Sequence, residues 1–148
     1  MLCSLSLRRE RSPERRLKAA EIDPDTPFLR DFLAANDDEI RRSQPDYEVT
    51  LADDFVRILL RDGLPGGSIA GRKEGPELII AVDYVTPAYQ DSRIGRWVFG
   101  EGREMFTRVG ISRLVTTATT SSHRNCLQQM GFRPDGTNWV KDLTEPVE

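Results

Sequence analysis

Little in this sequence invites a metal, a disulfide or a membrane. Two cysteines, Cys3 and Cys126, lie at opposite ends of its 148 residues, and there is one histidine. No CxxC pair exists, so the sequence predicts neither a zinc site nor a disulfide framework. The longest strongly apolar run, Leu78–Val82, falls far short of the roughly 20 residues that cross a bilayer. Arg8, Arg9 and Arg11 precede no apolar segment, so a signal peptide is not expected and a cytoplasmic protein is. A net charge of −3 argues against nucleic-acid binding by the whole chain.

What is present is an ordinary globular composition, 38% hydrophobic and 30% charged, at a length that suits one core. The sequence divides into a basic, flexible segment 1–14, one domain over 15–143 and a tail over 144–148. The basic head could meet RNA or an anionic lipid surface, but no aromatic residue interleaves with its charges to stack on bases. A solvated terminus is the simpler reading.

Periodicity predicts the elements. Arg16–Ile22 reads as a short strand. Thr26 and Pro27 open a helix with a stripe of Phe28, Leu29, Phe32, Leu33 and Ile40, which Pro45 stops. Phe55–Leu60 and Ser68–Arg72 are the arms of a bulged hairpin around Asp62–Gly67. Leu78–Val85 is the strongest strand, apolar enough to be central and buried on both faces. A helix follows over Ile94–Val109, where Gly100 and Gly102 either permit close packing on the sheet or weaken it, and Gly110 caps it. Then come a strand at Arg113–Thr119, a short helix capped by Ser121 or Ser122 and ended by Gly131, and a last strand at Trp139–Leu143. This order predicts an α/β protein: a mixed central sheet with helices on both faces.

Chemistry concentrates after the central strand. Pro87 ends that strand, and the next helix starts within Ala88–Arg96. The free amides of a helix start and its dipole suit a phosphate-sized anion. Gly95 would admit a close ligand, and Arg93 and Arg96 add positive charge; a plain helix cap is the competing reading.

Leu78–Phe132 resembles the GNAT acetyltransferase superfamily. The resemblance rests on Val85-Thr86-Pro87, on Gln90-Asp91-Ser92-Arg93-Ile94-Gly95, and on the helix, strand and short helix that lead to Gly131-Phe132. It implies a GNAT-like acyl-CoA N-acyltransferase fold. It also implies transfer of an acetyl or other acyl group from acetyl-CoA, as co-substrate, to a primary amine of a small molecule or protein. Backbone at Tyr84 and Val85 would hold the pantetheine arm and polarise the thioester, and Gln90, Asp91, Ser92, Arg93, Ile94, Gly95 and Arg96 would hold the pyrophosphate. Two positions depart from the pattern. Arg93 replaces the first glycine of the loop. Leu127 stands where many relatives carry a tyrosine that protonates the leaving thiolate. An alternative is a catalytically silent CoA-ester sensor or interaction module of the same fold.

Single residues add candidates. Asp83 is the one ionisable residue inside the strand run; burial would make it a proton acceptor, a wet edge would make it ordinary. Tyr84 and Tyr89 carry hydroxyls that can donate a proton or only satisfy the core. His123 sits near a helix start, to relay a proton or to lie at the surface. Asn125 could bond the pantetheine or lie at the surface. Cys126 could be a nucleophile, but no partner base is evident, and a small core residue is the simpler reading; Trp97 and Trp139 read as core. Acceptor specificity is expected from Phe28–Arg42 and Asp62–Arg72, and exposed sheet edges suit a homodimer.

Overall fold

The computed structural model describes residues 17–23, 25–50, 52–87 and 94–143. The candidates Tyr89, Gln90, Asp91, Ser92 and Arg93 lie outside the described residues, as do the segments 1–14 and 144–148.

One seven-stranded sheet organises the chain: β1 (Leu17–Glu21), β2 (Phe55–Arg61), β3 (Leu64–Glu74), β4 (Glu77–Val85), β5 (Arg113–Thr116), β6 (Arg133–Asp135) and β7 (Asn138–Asp142). Their order across the sheet is β1-β2-β3-β4-β5-β7-β6. The strand richest in apolar residues therefore takes the middle place, as its composition requires. β3 and β4 are antiparallel, and β4 and β5 are parallel, so the sheet is mixed.

Turn chemistry sets the hairpins. Asp62 and Gly63 both hold positive φ, 52° and 82°, which is a two-residue turn whose twist matches the strands. The turn is thus shorter than Asp62–Gly67, and Leu64–Gly67 already belongs to β3. The expected bulge lies next to it, where Leu59 faces Gly67 and Leu60 faces Pro65.

Helices cover both faces. α1 (Pro27–Ala35) and α2 (Asp37–Ser43) pack Leu29, Leu33 and Ile40 against Val56, Ile58, Ala70, Val82 and Tyr84. On the other face, α3 (Ile94–Phe99), α4 (Glu104–Thr107) and α5 (Ser121–Gln129) pack against Leu59, Ile69, Leu78 and Leu114. The mixed sheet with helices on both faces is the expected architecture.

Several boundaries differ from the expectation. The first helix is two helices, broken at Asn36, whose side chain donates to the Phe32 carbonyl and accepts from the Tyr84 hydroxyl. Thr26 makes no side-chain cap bond, and Phe28 is exposed. The helix after β4 is also broken, at Gly100, with a 3₁₀ turn at Glu101–Arg103. Gly102 is needed there because a Cβ would lie 2.7 Å from the Trp97 ring. The close packing is thus within this segment, not onto the sheet. β5 stops at Thr116, short of Thr119. Thr120, not Ser121 or Ser122, caps α5, its hydroxyl accepting from the His123 amide at 3.1 Å. β6, three exposed residues containing Pro134, carries no apolar pattern that would announce a strand.

Candidate functional site

The site begins with a break in pairing. β4 and β5 pair only from Glu77↔Arg113 to Ile79↔Val115. On its other side, β4 bulges: Ala70 faces Val82 and Gly71 faces Ile80, which leaves Ala81 as the extra residue. A bulge bends its strand. β4 continues to Val85 along β3 while β5 ends, so the second half of β4 has an edge without a neighbouring strand among the described residues.

Backbone groups on that edge need partners. Tyr84 is turned the other way: a Cβ on Gly67 in β3 would meet its carbonyl oxygen at 2.5 Å. It is Asp83 that faces the cleft. The Asp83 amide donates to Gln44 Oε1 at 3.1 Å, and Gln44 Nε2 donates to the Asp83 carbonyl at 2.6 Å. The Gln44 carboxamide thus stands where a strand would. A cavity of about 110 Å³ lies beside it, lined by Gln44, Ile80, Ala81, Thr116, Thr117 and Thr119.

The side chains of Asp83 and Tyr84 point to opposite faces, by strand alternation. Tyr84, 1% exposed, lies on the α1–α2 face and donates to Asn36 Oδ1 at 3.2 Å. Burial, with a smaller contribution from the Glu39 charge, pushes its phenol up to about 12. Tyr84 therefore stays protonated and bonded.

Asp83, 3% exposed, shares the opposite face with its β3 partner Ile69. Among the described residues its Oδ1 has no hydrogen-bond partner. Near it, at the start of α5, lies His123, 1% exposed; among the described residues neither ring nitrogen has a hydrogen bond of good geometry, and the Ser43 backbone is a polar group that approaches the ring. Burial holds this imidazole below its ordinary value of 6.5; the Asp83 charge and the Ser43 backbone oppose that shift without reversing it. In sequence, Asp83 and His123 stand forty residues apart with no hint of contact. The fold brings them together, buried and unsatisfied.

The remaining candidates scatter. Ile94 is a core side chain beside Val98 and Phe106, so only its backbone could meet a ligand. Gly95 is buried and Arg96 exposed in the first turn of α3. Val85 ends β4 with its side chain in the core. Asn125 is exposed on α5, and Cys126 and Leu127 are buried in the core. Gln44 is the site residue that the sequence does not single out, because no local pattern marks it.

α1 and α2 also line an open groove of about 530 Å³, with Leu29, Leu33 and Val49 along it and Asp25, Arg30 and Glu48 as charged lining. Tyr47 borders this groove and the small cavity at the cleft alike. It donates to Asp37 Oδ1 at 2.7 Å, and Arg41 lies over its ring. Among the described residues, no group of three or more His, Cys, Asp or Glu side chains comes together as a metal would need. No helix there is long and apolar enough to cross a membrane.

The sequence matches no family model and no curated protein. The structure does match solved ones. It superposes on N-acetylglutamate synthase from Neisseria gonorrhoeae, complexed with coenzyme A and N-acetyl-glutamate, at a TM-score of 0.63 and 17% identity over 90% of this chain. The chain spans only 37% of that protein's length. A putative acyl-CoA N-acyltransferase from Klebsiella pneumoniae gives 0.62 at 13% identity, covering 86% of this chain and 97% of that one. A GNAT family N-acetyltransferase from Escherichia coli in complex with CoA gives 0.52 at 17% identity, covering 92% and 86%. At such identities the likeness is one of fold, and the chain has the fold of the GNAT acyl-CoA N-acyltransferases, the superfamily its sequence resembles.

Proposed function

We propose that this chain is an N-acyltransferase that moves an acetyl or other acyl group from its CoA thioester to a primary amine. The observation that carries the reading is the buried, unsatisfied pair of Asp83 and His123 beside the open edge of β4. Buried polar groups without partners are rare in a stable fold and call for a reason. Here the reason is chemical: a buried imidazole and a carboxyl group stand at the place where the fold parts two parallel strands.

The steps follow from the atoms. Acyl-CoA is the co-substrate, and its thioester supplies the electrophilic carbonyl. The edge of β4 aligns the pantetheine amides as an added strand would, and a fixed amide polarises the carbonyl. The first turn of α3, with Gly95 and Arg96, and the preceding Gln90–Arg93 hold the pyrophosphate. The amine nitrogen bonds to the carbonyl carbon and its proton passes to the Asp83–His123 pair. The C–S bond breaks, and the thiolate takes a proton from solvent, because Leu127 offers none. Tyr47 borders both the α1–α2 groove and the cleft cavity, which makes that groove the candidate binding place for the amine acceptor. Tyr84 acts differently. With its phenol committed to Asn36, it fixes the junction of α1 and α2.

Leu127 favours a second reading, a CoA-ester sensor without turnover, since a core leucine occupies the position of a proton donor. One experiment separates them. Acetyl-CoA is incubated with the protein and a panel of primary amines, and released thiol is measured. Amine-dependent release at micromolar protein supports the enzyme. Acetyl-CoA binding without release for any amine supports the sensor, and no binding at millimolar acetyl-CoA contradicts both.

A further inference from the structure

The Gln44 side chain occupies backbone groups that a ligand on the open edge of β4 would need. Two bonds hold it, from the Asp83 amide at 3.1 Å and to the Asp83 carbonyl at 2.6 Å. This is the pairing one amide group makes with a strand edge. Any extended, amide-bearing ligand laid along β4 beyond Ile79, where β5 stops pairing, competes for the same donor and acceptor.

The setting of Gln44 suits a movable plug. It is the first residue after α2, outside the helix, and its own amide caps that helix by donating to the Ile40 carbonyl at 2.9 Å. Pro45 follows and forbids the helix to continue. The backbone of Gln44 is thus pinned, while its side chain alone crosses to β4. Side-chain rotation can release Asp83 without moving α2. Beside it is the cavity of about 110 Å³, so the cleft already has space that the released edge would extend.

We propose that Gln44 is an autoinhibitory contact: its carboxamide mimics a ligand amide on β4 and must swing out before acyl-CoA can align there and meet the Asp83 amide. This rests on the acyl-CoA reading above. In the free protein the plug satisfies the Asp83 backbone amide and carbonyl. In the complex the pantetheine amides take over the bonds, so the affinity for CoA is reduced by what Gln44 contributes. Removing the carboxamide leaves the edge groups to water, and the ligand then gains bonds it formerly only exchanged.

The test compares the full chain with Gln44→Ala and Gln44→Asn, the latter an amide one methylene too short to reach. Each is titrated with CoA and acetyl-CoA by calorimetry, with urea denaturation of each as a check of folding. Two net hydrogen bonds correspond to a tightening of Kd by about 5- to 150-fold in both variants. A Kd that is unchanged, or weaker in step with lost stability, overturns the proposal and makes Gln44 a brace. Should Gln44→Ala fail to fold, Gln44→Asn decides. If the unaltered chain binds neither ligand, the acyl-CoA reading itself has failed; if it binds but the variants bind no tighter, only the plug has.

Discussion

Asp83 and Tyr84 are consecutive residues on β4, 3% and 1% exposed, each with a polar group deep in the protein. On the α1–α2 face the Tyr84 hydroxyl is bonded to Asn36, which is bonded to Phe32, and the chain of contacts ends in a helix break. On the α5 face, among the described residues, Asp83 Oδ1 and both nitrogens of His123 have no hydrogen bond of good geometry. Burial is the same; satisfaction is not. A buried polar group left unbonded costs stability and calls for a reason; Ser68 Oγ, the register partner of Tyr84, is a further such group. The comparison separates a bonded tyrosine from an unbonded carboxyl group, a difference that sequence alone does not show.

The comparison breaks most visibly in activity. Asp83→Asn keeps the shape and removes the proton acceptor. Amine-dependent thiol release should fall by about 100-fold or more in kcat, with acetyl-CoA affinity within about twofold by calorimetry. A variant with full activity would place the base elsewhere. His123→Gln should cost about 10-fold, since water can bridge where the imidazole stood, and should remove the limb of the pH–rate profile that His123 supplies.

Tyr84→Phe tests the other face. It should cost about 1 kcal/mol of stability in urea denaturation, by orphaning the Asn36 carbonyl oxygen. Thiol release should stay within about threefold. Activity lost with stability kept would reverse the roles assigned to the two faces.

The smallest effect is in pH-linked stability. In the unfolded chain His123 titrates near its ordinary 6.5, and in the fold burial holds it lower. Between those values the unfolded chain binds the extra proton, so this contribution is complete above about pH 6.5 and is lost as pH falls. The urea midpoint should therefore drop more between about pH 7.5 and 5.5 for the unaltered chain than for His123→Gln. Equal drops would mean that the imidazole is not buried neutral.

Much of the frame is legible in the sequence because its signals are local. The run of β4, Pro87 after it, the Asp62-Gly63 turn and the positive-φ glycines Gly110 and Gly131 depend on neighbours in sequence, and the structure keeps them. What is not legible depends on distant partners. Asn36 breaks a helix because of a tyrosine 48 residues away. Gly100 marks a break because Gly102 packs against Trp97 once the segment turns. β6 is too short, polar and exposed to show a period. Gln44 meets Asp83 across 39 residues and looks like any glutamine before a proline. Of the site, the candidate residues can be named from the strand and helix patterns, but their pairing cannot. Asp83 and His123 become a pair only through the packing of α5 on β4.

One measurement tests the central claim most directly. The chain has a single histidine, so its imidazole Hε1 proton gives one unambiguous NMR signal. Acetyl-CoA titrated into the protein should shift that signal, saturating at micromolar ligand, and Asp83→Asn should alter the shift. A signal unmoved at millimolar acetyl-CoA would contradict the account.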